Sequence, residues 1–167
     1  MAEDIIRFKR KIYNTMLNWK NERNGDTALL IQGARRVGKS TIAEEFARNE
    51  YKSYILIDFS KISKEVNELF NDISDLNYLF IRLQFIFQVK LHERESVIIF
   101  DEVQLQPKAR QAIKHLVKDH RYDYIETGSL ISVRSKSTNI IIPSEETKVD
   151  MFPMDYEEFR WALGDTT

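Results

Sequence analysis

The chain has 167 residues, of which 43% are hydrophobic and 31% charged, with a formal net charge of -1 and no cysteine. That is enough chain for one domain with its own core, while the missing cysteines exclude a disulfide framework, a cysteine nucleophile and Cys-based zinc; the balanced charge gives no global pull on nucleic acid or anionic membrane. The start Met1-Ala2-Glu3-Asp4 is acidic and no apolar run reaches membrane-spanning length, so a single cytoplasmic domain over residues 1–167, with no signal peptide and no membrane partner, is expected.

Residues 4–22 place Ile5, Phe8, Ile12, Met16 and Trp19 at helical spacing, which predicts an amphipathic helix. The basic cluster Arg7 to Lys11 reads first as its solvated face and second as a contact for nucleotide or nucleic acid. Asn24-Gly25-Asp26 then signals a turn, and Thr27 to Gln32 a strand.

That strand runs into Gly33-Ala34-Arg35-Arg36-Val37-Gly38-Lys39-Ser40, and Ser40 to Arg48 has a helical pattern. The stretch is G-x-x-x-x-G-K-[ST], the phosphate-binding P-loop, in its strand–loop–helix setting. The glycines let the backbone curl so that its N–H groups face a di- or triphosphate, and the helix N-terminus adds partial positive charge. The expected nucleotide contacts are Gly33, Ala34, Arg35, Arg36, Val37, Gly38, Lys39, Ser40 and Thr41. Lys39 supplies a cation for the β- and γ-phosphates, and Ser40 a hydroxyl for Mg²⁺.

Ser53 to Phe59 reads as a short, largely buried strand, and Ser60 or Ser63 can cap the helix after it. A longer helix is predicted from about Asp75 to Glu93. Its stripe of Leu76, Leu79, Phe80, Leu83, Phe87 and Leu91 is widened by Ile81, Phe85, Ile86 and Val89, so it is either deeply buried or half committed to a partner.

Ser96-Val97-Ile98-Ile99-Phe100-Asp101-Glu102 is an apolar strand ending in two acids, as at the ligand edge of a parallel sheet. Downstream of a P-loop this is the Walker B position. Asp101 is then expected to hold Mg²⁺ and Glu102 to polarise the water that attacks the γ-phosphate. Gln106-Pro107 opens a helix over 108–119, in a basic region that runs to Arg121; His115 and His120, five apart, do not share a face and read as surface residues. Tyr122 to Thr127 is a further strand ending at Gly128-Ser129. Ser129 is the first candidate to reach the γ-phosphate or its water, with Thr127 second.

Leu130 to Asn139 is a serine-rich loop or helix carrying Arg134 and Lys136, Ile140 to Pro143 and Glu146 to Phe152 supply one or two strands, and Asp155 caps a short helix to Gly164. There is no internal repeat.

Taken in order, the P-loop, Phe100-Asp101-Glu102-Val103-Gln104, Thr127-Gly128-Ser129 and Phe152-Pro153-Met154-Asp155-Tyr156-Glu157-Glu158-Phe159 resemble the signatures of bacterial and archaeal AAA-type ATPases. The resemblance implies a three-layer α/β P-loop domain with a mainly parallel five-stranded sheet in the order 5-1-4-3-2. It also implies ATP and Mg²⁺ as ligands. Members usually continue into a winged-helix-like region and a nuclease-like domain, so the chain is expected to be an isolated ATPase core, truncated at its C-terminus, that turns over slowly and depends on that missing partner or on self-association. Glu102, Lys39 and Ser129 are the expected catalytic residues, and Ser40 and Asp101 the metal ligands. Two other readings stay open, a nucleotide-operated switch with negligible turnover and a nucleic-acid-associated ATPase.

Overall fold

Five segments become the strands of one sheet. The computed structural model describes residues 11–34, 37–129 and 145–152. Within them β1 (Ala28–Gly33), β2 (Ser53–Asp58), β3 (Ser96–Asp101), β4 (Asp123–Ser129) and β5 (Glu146–Met151) lie in the order β2-β3-β4-β1-β5. Every pairing is parallel. This is the order implied by the resemblance, read from the other edge. The inner strands β3 and β4 are buried at every residue, because helices cover both faces and leave no solvent side to select for alternation.

One face carries α1 (Lys11–Arg23) and α2 (Lys39–Glu50). Met16 and Trp19 of α1 and Ile42 and Phe46 of α2 pack there with Leu29, Ile31, Val97, Ile99 and Ile125. A helix as short as α2 is marginal alone, so this packing fixes where its N-terminus stands. The other face carries α3 (Lys64–Leu69), α4 (Leu76–Phe87) and α5 (Pro107–Asp119). Val66, Leu79, Leu83, Ile113 and Leu116 meet Leu30, Ile98, Phe100 and Tyr124 on that side. Each fully buried side chain of this size contributes on the order of 1.5–3 kcal/mol.

One boundary differs from the sequence expectation, and one open choice of cap is decided. The helix expected to reach Glu93 stops at Phe87, since Gln88 turns left-handed at φ 54° and its N–H bonds the Gln84 carbonyl. Gln84 then stabilises the exit, accepting from Leu91 N at 2.9 Å. Ser63 rather than Ser60 caps α3, because the Ser60 hydroxyl donates to Asp58 instead. Residues 4–10 of the N-terminal helix, the Ile140 to Pro143 run, the loop with Arg134 and Lys136, and the expected 155–164 helix lie outside the described residues. Helix α4 is committed to the core on one side only, with Tyr78, Ile81 and Phe85 exposed on the other. No helix among the described residues is long and apolar enough to cross a membrane.

Candidate functional site

The strand register brings the chemistry-bearing residues to one edge. Phe100 of β3 pairs with Glu126 of β4, so the next residue, Asp101, stands beside Thr127; Gly33 of β1 pairs with Ser129. Side-chain alternation places Asp101, Thr127 and Ser129 on the face covered by α2, after Ile99 and Ile125. Ser129 stands two residues past Thr127, about 7 Å further along the strand.

The P-loop leaves β1 at Gly33, where a Cβ would come within 2.3 Å of the Met151 carbonyl oxygen. Only glycine allows β5 to pair that closely at the strand's end. The loop enters α2 through Gly38, whose φ of 97° is left-handed and suits a residue without a side chain. No side chain caps α2, and its first turn has no acid. Its first N–H groups, with the helix dipole behind them, are arranged for an anion.

Lys39 is buried, and its ammonium donates to the carbonyls of Gly33 at 3.2 Å and Ala34 at 2.8 Å. A buried ammonium is costly unless hydrogen-bonded, so the loop curls around the cation and holds it beside the bend. Ala34, Val37, Gly38, Ser40 and Thr41 complete the described part of the loop and the first turn, while Arg35 and Arg36 lie outside the described residues.

Ser40 links this loop to the acidic strand end, its hydroxyl donating to Asp101 Oδ1 at 2.6 Å. Thr127 donates to the same oxygen at 2.5 Å and accepts from the Glu102 backbone N–H at 3.0 Å. An ionised carboxylate only accepts, so both hydroxyl protons point at Asp101 and the Thr127 lone pair is turned to Glu102. Thr127, the second candidate from sequence, is thus the β4 residue that touches the acidic pair; Ser129, the first, sits buried beside Gly33. Ser40 and Asp101 are hard oxygen donors of the kind that could hold Mg²⁺ together with phosphate and water oxygens.

Glu102 lies just past the strand in a left-handed conformation, φ 57° and ψ 50°, which costs a non-glycine residue on the order of 1 kcal/mol. The chain needs that turn to enter the 3-10 turn Val103–Leu105. There the buried Gln104 donates its Nε2 to Glu102 Oε2 at 2.6 Å. Reading the sequence gave Gln104 no role, although its place two residues after the acid is the spacing at which a tight turn folds a side chain back.

The opposite face of the sheet holds a second buried polar group. Arg110 of α5 makes a two-pronged contact with Glu146 of β5, at 3.1 and 3.0 Å. Glu126 of β4 is fully buried beside them, and its oxygens meet no donor among the described residues. Protonated, Glu126 can itself donate to Glu146. Burial first, and then the Glu146 charge, hold its carboxyl well above the ordinary range against the opposing pull of Arg110 and Lys148.

A family model described as an AAA domain matches residues 25–160. That span contains all of β1 to β5 and every residue of the edge just described. No curated protein matches the chain.

Proposed function

This chain belongs to the AAA domain family, and we propose that it binds ATP with Mg²⁺ at the edge formed by β1, β3 and β4, hydrolyses it, and couples the nucleotide state to a change of conformation. The observation that carries this reading is the Ser40–Asp101 contact, which joins the phosphate loop to the acidic strand end at 2.6 Å. In a phosphoryl transfer, loop, cation and carboxylates have to converge on one small volume, and this contact is how the fold brings them together.

The roles follow from the chemistry of each group. Backbone N–H groups from Gly33 to Thr41, including Arg35 and Arg36, cradle the phosphates, and Lys39 exchanges its carbonyl partners for phosphate oxygens, a stronger charge-assisted bond. Ser40 and Asp101 would hold Mg²⁺, which when bound neutralises charge on the β- and γ-phosphate oxygens. Glu102 orients water against the γ-phosphorus and takes its proton as the bond to the bridging oxygen breaks, leaving ADP and phosphate. Ser129, further along β4 and paired with Gly33, would meet the γ-phosphate side of the nucleotide. Thr127 keeps Asp101 and the backbone of Glu102 fixed relative to each other.

The basic region around α5 supports a nucleic-acid role less than its composition suggests. Arg110 is buried in its ion pair, and Arg121 makes a two-pronged contact with Asp119. The test of the leading reading is Glu102→Gln, which keeps size and loses the carboxylate. It should bind MgATP normally and turn over at least about a hundredfold more slowly. Equal rates in the two proteins would remove Glu102 from the chemistry, and a negligible wild-type rate would make the protein a nucleotide-operated switch.

A further inference from the structure

Gln104 is an unusual residue to bury. It is 6% exposed, and its amide is used at one end only. Nε2 donates to Glu102 Oε2 at 2.6 Å, while Oε1 is enclosed without a donor among the described residues. The orientation is dictated by chemistry, because a carboxylate accepts only and the NH₂ end must face it. Leaving a buried acceptor unsatisfied is costly, so a glutamine held for packing would be expected to satisfy both ends or to give way to an apolar side chain.

The surroundings show what the amide is doing. Glu102 is half-buried at a left-handed turn, and its backbone is held on one side by Thr127 through the N–H and on the other by Leu105, whose N–H donates to the Glu102 carbonyl at 3.0 Å. Backbone anchors set where the side chain begins, yet the rotatable bonds beyond Cβ still let the carboxylate swing. The one side-chain donor that reaches it, among the described residues, is Gln104, and Gln104 is itself fixed in the 3-10 turn between buried Val103 and the α5 cap residue Gln106. A rigid turn therefore grips the carboxylate at a single oxygen, Oε2, and leaves Oε1 of Glu102 outside that contact.

We propose that Gln104 is a positioning residue for Glu102, holding one carboxylate oxygen so that the other is aimed at the water that attacks the γ-phosphate. This rests on Glu102 acting as the base in the proposed ATPase reaction. Gln104 touches neither nucleotide nor water and works only through Glu102. Its loss should consequently slow the chemical step and leave nucleotide binding alone.

The test is a double-mutant cycle of Gln104 and Glu102, read in single-turnover ATP hydrolysis with MgATP affinity measured in parallel. Gln104→Met keeps length and removes the donor, and Gln104→Leu removes the donor with a shorter apolar side chain, so one covers the other should either variant fold poorly. Both should lower the hydrolysis rate roughly tenfold or more with the affinity for ATP unchanged within about twofold. In the Glu102→Gln background, Gln104→Met should add less than about twofold, since the group it positions is already gone. A turnover unchanged or raised by both Gln104 variants, or an equal further loss on top of Glu102→Gln, overturns the proposal. Failure of Glu102→Gln itself to slow hydrolysis is a separate outcome that overturns the base assignment on which it stands.

Discussion

Replacing Glu126 by glutamine should stabilise the protein at neutral pH and remove part of its pH dependence. In the folded chain the Glu126 carboxyl is held well above its ordinary 4.5, by burial first and by the Glu146 charge second, with Arg110 and Lys148 acting against both. In the unfolded chain it returns to that ordinary value. Below 4.5 both states carry the proton and the group contributes no slope. Above it the unfolded chain releases the proton while the folded one keeps it, so the native state binds more protons and stability falls as pH rises. Each pH unit inside that window costs about 1.4 kcal/mol, until the folded value is passed. Glutamine has no proton to lose, and its NH₂ can donate to Glu146 as the protonated acid does. Urea unfolding at half-unit steps from about pH 4 to 8, analysed with a common m-value, gives the difference between the two proteins. Glu126→Gln should gain on the wild type steadily above 4.5 and be the more stable at pH 7. Parallel curves throughout would mean that Glu126 is not a buried neutral acid.

Thr127→Val keeps the shape of the side chain but removes the bond to Asp101 and strands the Glu102 N–H, which should cost about 3 kcal/mol in urea unfolding, with Thr127→Ser restoring most of it. A valine variant as stable as wild type would show that the hydroxyl does not tie the two acids together. Gly33→Ala drives a methyl to within 2.3 Å of the Met151 carbonyl, a backbone atom that cannot rotate away. It should lower stability by about 3 kcal/mol and reduce hydrogen-exchange protection in β5; unchanged protection there would place β5 elsewhere.

Much of the fold could be read in advance because local and global signals agree. The runs Leu29 to Ile31 and Val97 to Phe100 are too continuously apolar for anything but inner parallel strands, and the P-loop spacing fixes the strand before it and the helix after it. The phosphate loop and acidic strand end were legible as types of residue in order. Their contact was not, since the 2.6 Å between Ser40 and Asp101 depends on how far β1 and β3 are staggered across an intervening strand. Thr127 and Ser129 lie on the same face of β4, and only the register shows which of them stands beside Asp101. The Arg110, Glu126 and Glu146 group was hidden for a different reason. Arg110 follows Lys108 in a basic helix, Glu126 has no acid next to it in its strand and Glu146 follows Glu145 at a strand's start, so each resembles a solvated residue until the three side chains are seen buried together. The end of α4 was overrun because the apolar stripe continues past Gln88, whose left-handed turn no periodicity foretells.

The central claim is that the loop from Gly33 to Thr41 holds the phosphates of ATP through Lys39. Calorimetric titration of MgATP into the wild type and into Lys39→Ala tests it most directly. Saturable binding by the wild type should weaken by about a hundredfold or more in the variant, while circular dichroism shows the same fold in both. Equal affinities in two folded proteins would contradict the claim.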